Sequence, residues 1–281
     1  MKIEKADKTG FCFGVRRAID IIEEAAREHG GVETLGQLVH NQQVLQRLAE
    51  IGVKVINDVG AIKSNTVAIS THGISPGLEA AIRARQIGVI DTTCPYVHRA
   101  QLVARRLAEA GFFVVIYGEA DHPEVKGILG WARGNGLATL DENLIASLDT
   151  LPRRIGVLSQ TTRIPAHFNE FVKKLIDSTF TKDSELRMID TICHDIRERQ
   201  EAAAKLASKV DLMFVVGGRN SANTNHLAQL CSKITGTHLI ETAEEIKPEW
   251  LQGHQHIGIT AGASTDEQTI NEVLAKLEAM T

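Results

Sequence analysis

Three stretches of the chain repeat the same order of apolar and polar positions, and each stretch begins at a cysteine. After Cys12, Cys94 and Cys193, apolar residues recur at every third or fourth position, which is the period of an amphipathic helix. A short apolar run follows each of these helices and predicts a buried strand. These three runs span residues 32–35, 112–117 and 212–216.

Polar residues follow each predicted strand at matched distances from the cysteine. Each apolar run ends in a glycine 24 residues after its cysteine, and polar residues stand at 28 and 30 residues after it. The residues at 28 are His40, His122 and Ser221, and those at 30 are Gln42, Glu124 and Asn223. A second helix is predicted after them, and each copy then closes with another buried strand and a polar loop. These last loops carry His72, Thr161 and Ser264.

The alternation of strand and helix predicts an α/β fold of three related units. We expect the units to span 13–93, 94–192 and 193–281, with 1–12 as an N-terminal segment that carries Cys12. Each unit should have a mainly parallel sheet covered by helices. Ligands of such sheets bind at the carboxyl ends of the strands. The simplest arrangement is therefore a pseudo-threefold trefoil whose polar loops meet at one central cavity.

Composition narrows the class of protein and its partners. The 281 residues are 43% hydrophobic and 23% charged, which is typical of a soluble globular chain. The formal net charge is −4 and aromatic residues make up only 4%. Nucleic acid and membrane surfaces are therefore not expected partners. Because the N-terminus shows no secretory signal pattern, a cytoplasmic location is expected.

The cysteines indicate a metal centre. There are four of them and no CxxC pair, so local zinc-finger spacing is absent. Cys231 follows the apolar face of a predicted helix and is interpreted as a core residue. Cys12, Cys94 and Cys193 occupy equivalent positions, so threefold symmetry would place them around one axis. Three thiolates could hold zinc or a [4Fe–4S] cluster with one iron left open, and symmetric convergence favours the cluster.

The polar loop residues are typical of an anion site. Several of them stand just before a predicted helix, where unsatisfied backbone N–H groups attract anions. Phosphate or diphosphate is therefore the expected ligand, although each histidine could equally be an ordinary loop residue. The candidates are His40, His72, His122, Ser221, Asn223 and Ser264. Neither a P-loop nor a GxGxxG fingerprint occurs in a strand-to-helix context, so nucleotide binding has no support.

Two further residues are candidates for the chemistry itself. Glu124 could donate a proton if burial raises its pKa, although a carboxylate at a helix start is also stabilised by the helix dipole. Thr161 could hydrogen-bond a hydroxyl group or water, or it could be an ordinary loop threonine.

Taken together and in order, the motifs resemble those of the 4-hydroxy-3-methylbut-2-enyl diphosphate reductase family of the non-mevalonate isoprenoid pathway. The resemblance runs over nearly the whole chain. Its motifs are GFCFGVR at 10–16, LVHN at 38–41, THG at 71–73, DTTCP at 91–95, HPEVKG at 122–127, QTT at 160–162, DTIC at 190–193, NSANTN at 220–225 and TAGAS at 260–264.

The resemblance implies a trefoil around one [4Fe–4S] cluster held by Cys12, Cys94 and Cys193. It implies that Glu124 is the proton donor and that Thr161 holds the substrate hydroxyl network. It implies diphosphate binding by His40, His72, His122, Ser221, Asn223 and Ser264. The implied reaction is a reductive dehydroxylation that yields isopentenyl and dimethylallyl diphosphate. Since no flavin or nicotinamide motif is visible, the electrons should come from a separate ferredoxin or flavodoxin.

Two positions depart from the family pattern, and two other functions compete with it. Ala222 stands where many members have a second serine, and Asp266 stands where a proline is expected. Quinolinate synthase is similar in presenting three cysteines to a cluster from three α/β units, but the His-Pro-Glu and His-Asn loops favour the reductase. The other alternative is a non-enzymatic iron–sulfur sensor, for which a cavity rich in proton donors would be superfluous.

Overall fold

The chain forms three four-stranded sheets, and every pair of neighbouring strands is parallel. The computed structural model describes residues 1–141, 143–146, 152–179 and 183–280. The strands are β1 (Lys2–Lys5), β2 (Val32–Leu35), β3 (Val53–Ile56), β4 (Thr66–Ile69), β5 (Gly88–Asp91), β6 (Phe113–Tyr117), β7 (Gly136–Thr139), β8 (Arg154–Ser159), β9 (Glu185–Ile189), β10 (Leu212–Val216), β11 (Gly236–Ile240) and β12 (His256–Ala261).

Ten α-helices lie in the described ranges. They are α1 (Phe13–His29), α2 (Gln42–Glu50), α3 (Pro76–Ala84), α4 (Pro95–Glu109), α5 (Pro123–Gly130), α6 (Asn143–Ala146), α7 (Pro165–Thr179), α8 (His194–Ala207), α9 (Ala222–Ser232) and α10 (Glu267–Ala279). None of these helices is long and apolar enough to cross a membrane.

The three sheets share one strand order. They run β1-β12-β10-β11, β5-β4-β2-β3 and β9-β8-β6-β7. In each sheet the two central strands are the buried strands that the repeat predicts. One edge strand leads towards a cysteine, and the other follows the second helix of the repeat. The predicted fold class, three related parallel-sheet α/β units, is therefore confirmed.

The chain divides into two compact units. Unit 1 comprises Met1–Ile19, Val39–Ile51 and His194–Thr281, and it contains the sheet of β1, β12, β10 and β11. Unit 2 comprises Asp20–Leu38 and Gly52–Cys193, and it contains the other two sheets. The predicted domain ranges stay a prediction, and the last of them ends at residue 281, which lies outside the described residues.

Helices begin directly after the three equivalent cysteines, as predicted. α1, α4 and α8 each start one residue beyond Cys12, Cys94 and Cys193. Gly30 and Gly111 lie just past the ends of α1 and α4 with φ of +68° and +79°. This left-handed conformation favours glycine and is common where helices end.

Apolar side chains of the helices cover the central strands. In unit 2, Ala100, Ala104 and Leu107 of α4 pack with buried residues of β6 and β8. In unit 1, Leu227 of α9 and Cys231 pack with β10, and Cys231 is 0% exposed. Burial raises the pKa of the Cys231 thiol to about 11. The interpretation of Cys231 as a core residue is therefore confirmed.

Candidate active site

The three equivalent cysteines are anchored in the same way. Each cysteine donates its backbone N–H to a carbonyl that lies two residues beyond the end of the neighbouring strand β12, β4 or β8. The bonds are Cys12 to Ala263 at 3.0 Å, Cys94 to Thr71 at 3.0 Å and Cys193 to Thr161 at 2.9 Å. Each bond therefore holds a cysteine against a loop that carries a candidate site residue, which is Ser264, His72 or Thr161.

The repeated Asp-Thr-x-Cys motif builds the turn before Cys94 and Cys193. The Asp91 carboxylate accepts the N–H of Thr93 at 2.8 Å, and the Asp190 carboxylate accepts the N–H of Ile192 at 3.0 Å. The hydroxyls of Thr92 and Thr191 donate to the carbonyls of Ile69 and Ser159, at the ends of β4 and β8. The Asp and Thr side chains of the motif thus hold the turn between each strand and its cysteine, which fixes the position of the cysteine backbone relative to the sheet.

In unit 1, a buried cation holds the loop of Cys12. Arg199 of α8 is 1% exposed and donates to the carbonyls of Gly10 at 3.0 Å and Ala261 at 3.1 Å. The Asp195 carboxylate lies 3.3 Å from the same guanidinium. Burial raises the pKa of the Cys12 thiol, whose Sγ accepts the N–H of Val15 at 3.4 Å.

Sequence reasoning missed Arg199, although a signal was present. The residue stands three positions after Ile196 and four before Ala203, both of which belong to the apolar face of α8. A charged residue on an apolar face is buried only when it is hydrogen-bonded, so this placement already predicts a structural partner.

Unit 1 also holds four of the predicted anion-site residues. Ser221 caps α9 by accepting the N–H of Thr224 at 3.3 Å. Asn223 and Ser264 are 4% and 7% exposed, and their side-chain polar atoms make no hydrogen bond within the described part of the chain. A buried polar group without a partner is unfavourable, so these two side chains indicate a polar ligand.

His40, the fourth of these residues, lies against the loop before α9. A Cβ on Gly218 would overlap the His40 carbonyl oxygen, so only glycine allows this approach. Burial lowers the pKa of His40, which favours its neutral imidazole form. Asn41, the next residue, caps α2 by accepting the N–H groups of Gln43 and Val44 at 3.0 and 3.2 Å.

In unit 2, two predicted histidines lie side by side. The rings of His72 and His122 are 5.4 Å apart between centroids and nearly perpendicular. His122 caps α5, where its Nδ1 accepts the N–H of Glu124 at 3.2 Å, so the Nε2 atom carries the ring proton of a neutral imidazole. The His72 Nδ1 lies 3.2 Å from the Ser70 hydroxyl.

Glu124 is buried beside Thr161. It is 2% exposed, and its carboxyl accepts the Thr161 N–H at 2.7 Å and the Thr161 hydroxyl at 2.9 Å. Burial raises the pKa of Glu124 to about 7, although both hydrogen bonds from Thr161 lower it. The condition for a proton donor, a buried carboxyl with a raised pKa, is therefore met.

The structure explains Asp266, one of the two departures from the family pattern, but nothing in it explains Ala222. Ala222 is the first residue of α9, between Ser221 and Asn223. Asp266 caps α10 by accepting the Thr269 N–H at 2.7 Å, and it forms an ion pair with Arg47 at 2.6 Å. The cap and the ion pair fix the loop after Ser264 without a proline.

Comparison with known proteins identifies relatives along the whole chain. The family described as LytB protein matches residues 3–278. The 4-hydroxy-3-methylbut-2-enyl diphosphate reductase of Dehalococcoides mccartyi (strain CBDB1) is 58% identical, with 100% of this chain and 99% of the relative covered. The protein of the same name from Geobacter sulfurreducens is 43% identical, with 99% and 97% covered.

Two solved structures match in fold. The structure titled as (E)-4-hydroxy-3-methyl-but-2-enyl diphosphate reductase, the terminal enzyme of the non-mevalonate pathway, is 39% identical with a TM-score of 0.71, covering 99% of this chain and 100% of the other. The E-1-hydroxy-2-methyl-but-2-enyl-4-diphosphate reductase from Plasmodium falciparum is 26% identical with a TM-score of 0.91, covering 98% and 87%.

The three-sheet fold and these matches define the chain as an α/β enzyme of the oxidoreductase class. It belongs to the LytB protein family, and the relatives described above are 4-hydroxy-3-methylbut-2-enyl diphosphate reductases of the non-mevalonate isoprenoid pathway. The predicted family and enzyme class are therefore confirmed. None of the matches described above favours the alternative of a quinolinate synthase.

Proposed function

We propose that the chain converts 4-hydroxy-3-methylbut-2-enyl diphosphate to isopentenyl and dimethylallyl diphosphate. The observation that carries the proposal is the Glu124–Thr161–Cys193 connection. Thr161 donates twice to the buried Glu124 carboxyl, and its carbonyl accepts the Cys193 N–H at 2.9 Å. The proposed proton donor is thereby joined through one residue to a proposed metal ligand, which supports a reduction in which the leaving oxygen takes up a proton near the metal centre.

The reaction balances with two electrons and two protons. The allylic C–O bond breaks, and the oxygen leaves as water after taking one proton. The two electrons and the second proton form a C–H bond on the allylic fragment, at either end, which gives the two products. Glu124 is protonated in a large fraction of molecules near neutral pH because its pKa is about 7, so it can supply the first proton.

Cys12, Cys94 and Cys193 would hold one [4Fe–4S] cluster per chain. The donor set fits this group, because all four cysteines lie in the described residues, none is joined in a disulfide, and the three equivalent ones share one backbone anchor. Bound there, the cluster would supply electrons and an iron without a protein thiolate that acts as a Lewis acid. Thiolate ligands require reducing conditions, which supports a cytoplasmic location.

The diphosphate would be bound by histidine, serine and asparagine side chains together with helix N-termini. The proposed set is His40, His72, His122, Ser221, Asn223 and Ser264. The buried Asn223 amide and Ser264 hydroxyl support it, since both make no hydrogen bond within the described residues. Ser221 and His122 cap α9 and α5, where backbone N–H groups favour an anion. These contacts would fix the substrate so that its hydroxyl lies near Thr161 and Glu124.

Metal analysis of anaerobically prepared protein tests this proposal. We expect about four irons and four sulfides per chain. Replacement of Cys12, Cys94 or Cys193 by serine should reduce the iron content severely, because each removes one thiolate ligand. Cys231→Ser is the matched control and should keep the parent iron content. One zinc per chain without iron, or full iron retention in the Cys94→Ser protein, would contradict the proposed cluster.

A further inference from the structure

A groove in unit 2 runs along the two elements that flank the proposed metal ligands of that unit. It has a volume of about 540 Å³ and lies between α4 and β9. α4 begins at Pro95, which lines the groove and is bonded directly to Cys94. β9 ends at Ile189, which also lines it and stands four residues before Cys193. The groove therefore reaches the residue next to Cys94 and the end of the strand that leads to Cys193.

The rim of the groove is basic. Its charged or titratable lining residues are His98, Arg99, Arg106 and Arg187. The lining residues, all within the described chain, include no aspartate or glutamate. The chain as a whole carries a formal charge of −4, so this patch is opposite in sign to the net charge.

The positive charge of the rim is only partly neutralised. Arg187 lies 2.9 Å from the Glu185 carboxylate, but Arg154 lies 2.8 Å from that same carboxylate. Two guanidinium groups thus share one negative charge. Arg99 and Arg106 stand seven positions apart, which places them on one face of α4, and both are exposed.

The wall of the groove is apolar. Leu102 and Val103 of α4 and Ile189 of β9 line it and are half-buried. An apolar centre with a charged rim is the usual anatomy of a protein interface, and charged rims speed the association of oppositely charged partners. The surface therefore fits an acidic protein better than a small molecule.

We propose that this groove docks the electron donor, an acidic one-electron carrier protein such as a flavodoxin or ferredoxin. The inference rests on the proposed function, which consumes two electrons and needs a separate protein to supply them. A second copy of the chain fits poorly, because a twofold contact would bring the same arginines together. Nucleic acid also fits poorly, since Phe, Tyr and Trp are absent among the described lining residues.

The test compares two reductants on the iron-loaded enzyme. The probe is a purified acidic flavodoxin, reduced to its hydroquinone, and the reference is reduced methyl viologen, which needs no docking. For the Arg99→Glu/Arg106→Glu protein we expect the flavodoxin KM to rise at least about tenfold at low salt, because reversed charges remove the electrostatic attraction. Viologen-driven turnover should stay within about twofold of the parent.

A charge-matched control separates local from overall effects. Lys54→Glu/Lys209→Glu makes the same change in net charge at two exposed residues that do not line the groove. Its flavodoxin KM should change much less than that of the groove variant. Added salt should weaken parent binding and narrow the gap between parent and groove variant, since screening reduces exposed charge interactions.

Calorimetric titration of the iron-loaded protein with flavodoxin measures binding directly, so it tests docking without relying on turnover. Binding lost in the groove variant alone would support docking even if no substrate were reduced, and only the proposed function would then fail. Parent-like flavodoxin binding in the groove variant would overturn the docking surface. So would a parent dimer that the two substitutions convert to a monomer, or tight binding of an oligonucleotide that competes with flavodoxin.

Discussion

At the scale of single residues, Glu124 shows how burial sets chemistry. Its carboxyl accepts two hydrogen bonds, and both come from neutral groups of Thr161. Burial disfavours the charged form more strongly than these bonds favour it, so the pKa rises to about 7. A carboxyl that is protonated near neutral pH can donate a proton where an exposed glutamate could not.

Glu124→Gln tests the role of this proton in turnover. Glutamine keeps the shape and can still accept the Thr161 N–H, but it cannot donate a proton readily. We expect near-normal iron content and substrate binding, with turnover lower by at least about 100-fold. The measurement is steady-state reduction with methyl viologen. Glu201→Gln, the same change at an exposed position of α8, should leave turnover unchanged. Parent-like turnover in the Glu124→Gln protein would assign the proton to another group.

The same substitution changes how stability depends on pH. The unfolded carboxyl has an ordinary pKa near 4.5 and the folded one is at about 7, so between these values the unfolded state binds fewer protons. The free energy of unfolding of the parent therefore falls as pH rises through this window, by about 3 kcal/mol in total. We therefore expect the free energy of unfolding of metal-free Glu124→Gln, minus that of the metal-free parent, to increase from pH 5 to pH 8. Urea denaturation of both proteins measures this difference. Parallel curves for the two proteins would contradict the raised pKa.

At the scale of elements, the spacing of apolar residues predicts individual helices and strands well and tertiary contacts poorly. The helices after Cys12, Cys94 and Cys193 and the two central strands of each sheet follow from apolar spacing alone. The apolar pattern does not predict the third helix of each repeat, which is α3, α7 or α10. The pattern also does not predict the anchoring of each cysteine on a loop carbonyl, because backbone hydrogen bonds between distant segments leave no trace in the order of side chains.

Arg199 illustrates how a helix can hold two loops at once. Arg199→Met keeps much of the length but removes the donors to Gly10 and Ala261, on either side of the Cys12 anchor. We expect a loss of about 2–4 kcal/mol in the free energy of unfolding, because two buried carbonyls and the Asp195 carboxylate lose a partner. Lys205→Met, at an exposed position of the same helix, is the control in urea denaturation. Equal stability of the two variants would show that Arg199 does not support these loops.

At the scale of the whole molecule, the three sheets have the same spatial order of strands, although the corresponding strands occur in a different order along the sequence. β5 and β9 come after the other three strands of their sheets in the sequence. β1, in contrast, lies near the N-terminus and pairs with β12, which lies near the C-terminus. The internal repeat predicts the common core of the three sheets. It does not reveal that the first strand completes the sheet of the last repeat, because that pairing joins residues more than 250 positions apart.

In the candidate site too, the sequence predicts which residue types are present, whereas their burial and contacts are set only by the fold. Matched offsets along the chain are enough to select His40, His122, Ser221, Glu124 and Asn223 as candidates. The burial of Glu124, the close approach of Gly218 to His40 and the basic groove along α4 depend on packing. Residue types and spacing indicate the chemistry, whereas burial decides protonation and access.

Turnover of the iron-loaded enzyme under anaerobic conditions is the decisive measurement for the proposed reaction. The enzyme is mixed with 4-hydroxy-3-methylbut-2-enyl diphosphate and reduced methyl viologen, and the products are separated and quantified. We expect isopentenyl and dimethylallyl diphosphate, with two viologen electrons consumed for each substrate molecule and no turnover by the Cys94→Ser protein. Intact substrate after incubation with fully iron-loaded enzyme, or equal turnover by the Cys94→Ser protein, would contradict the proposed reaction.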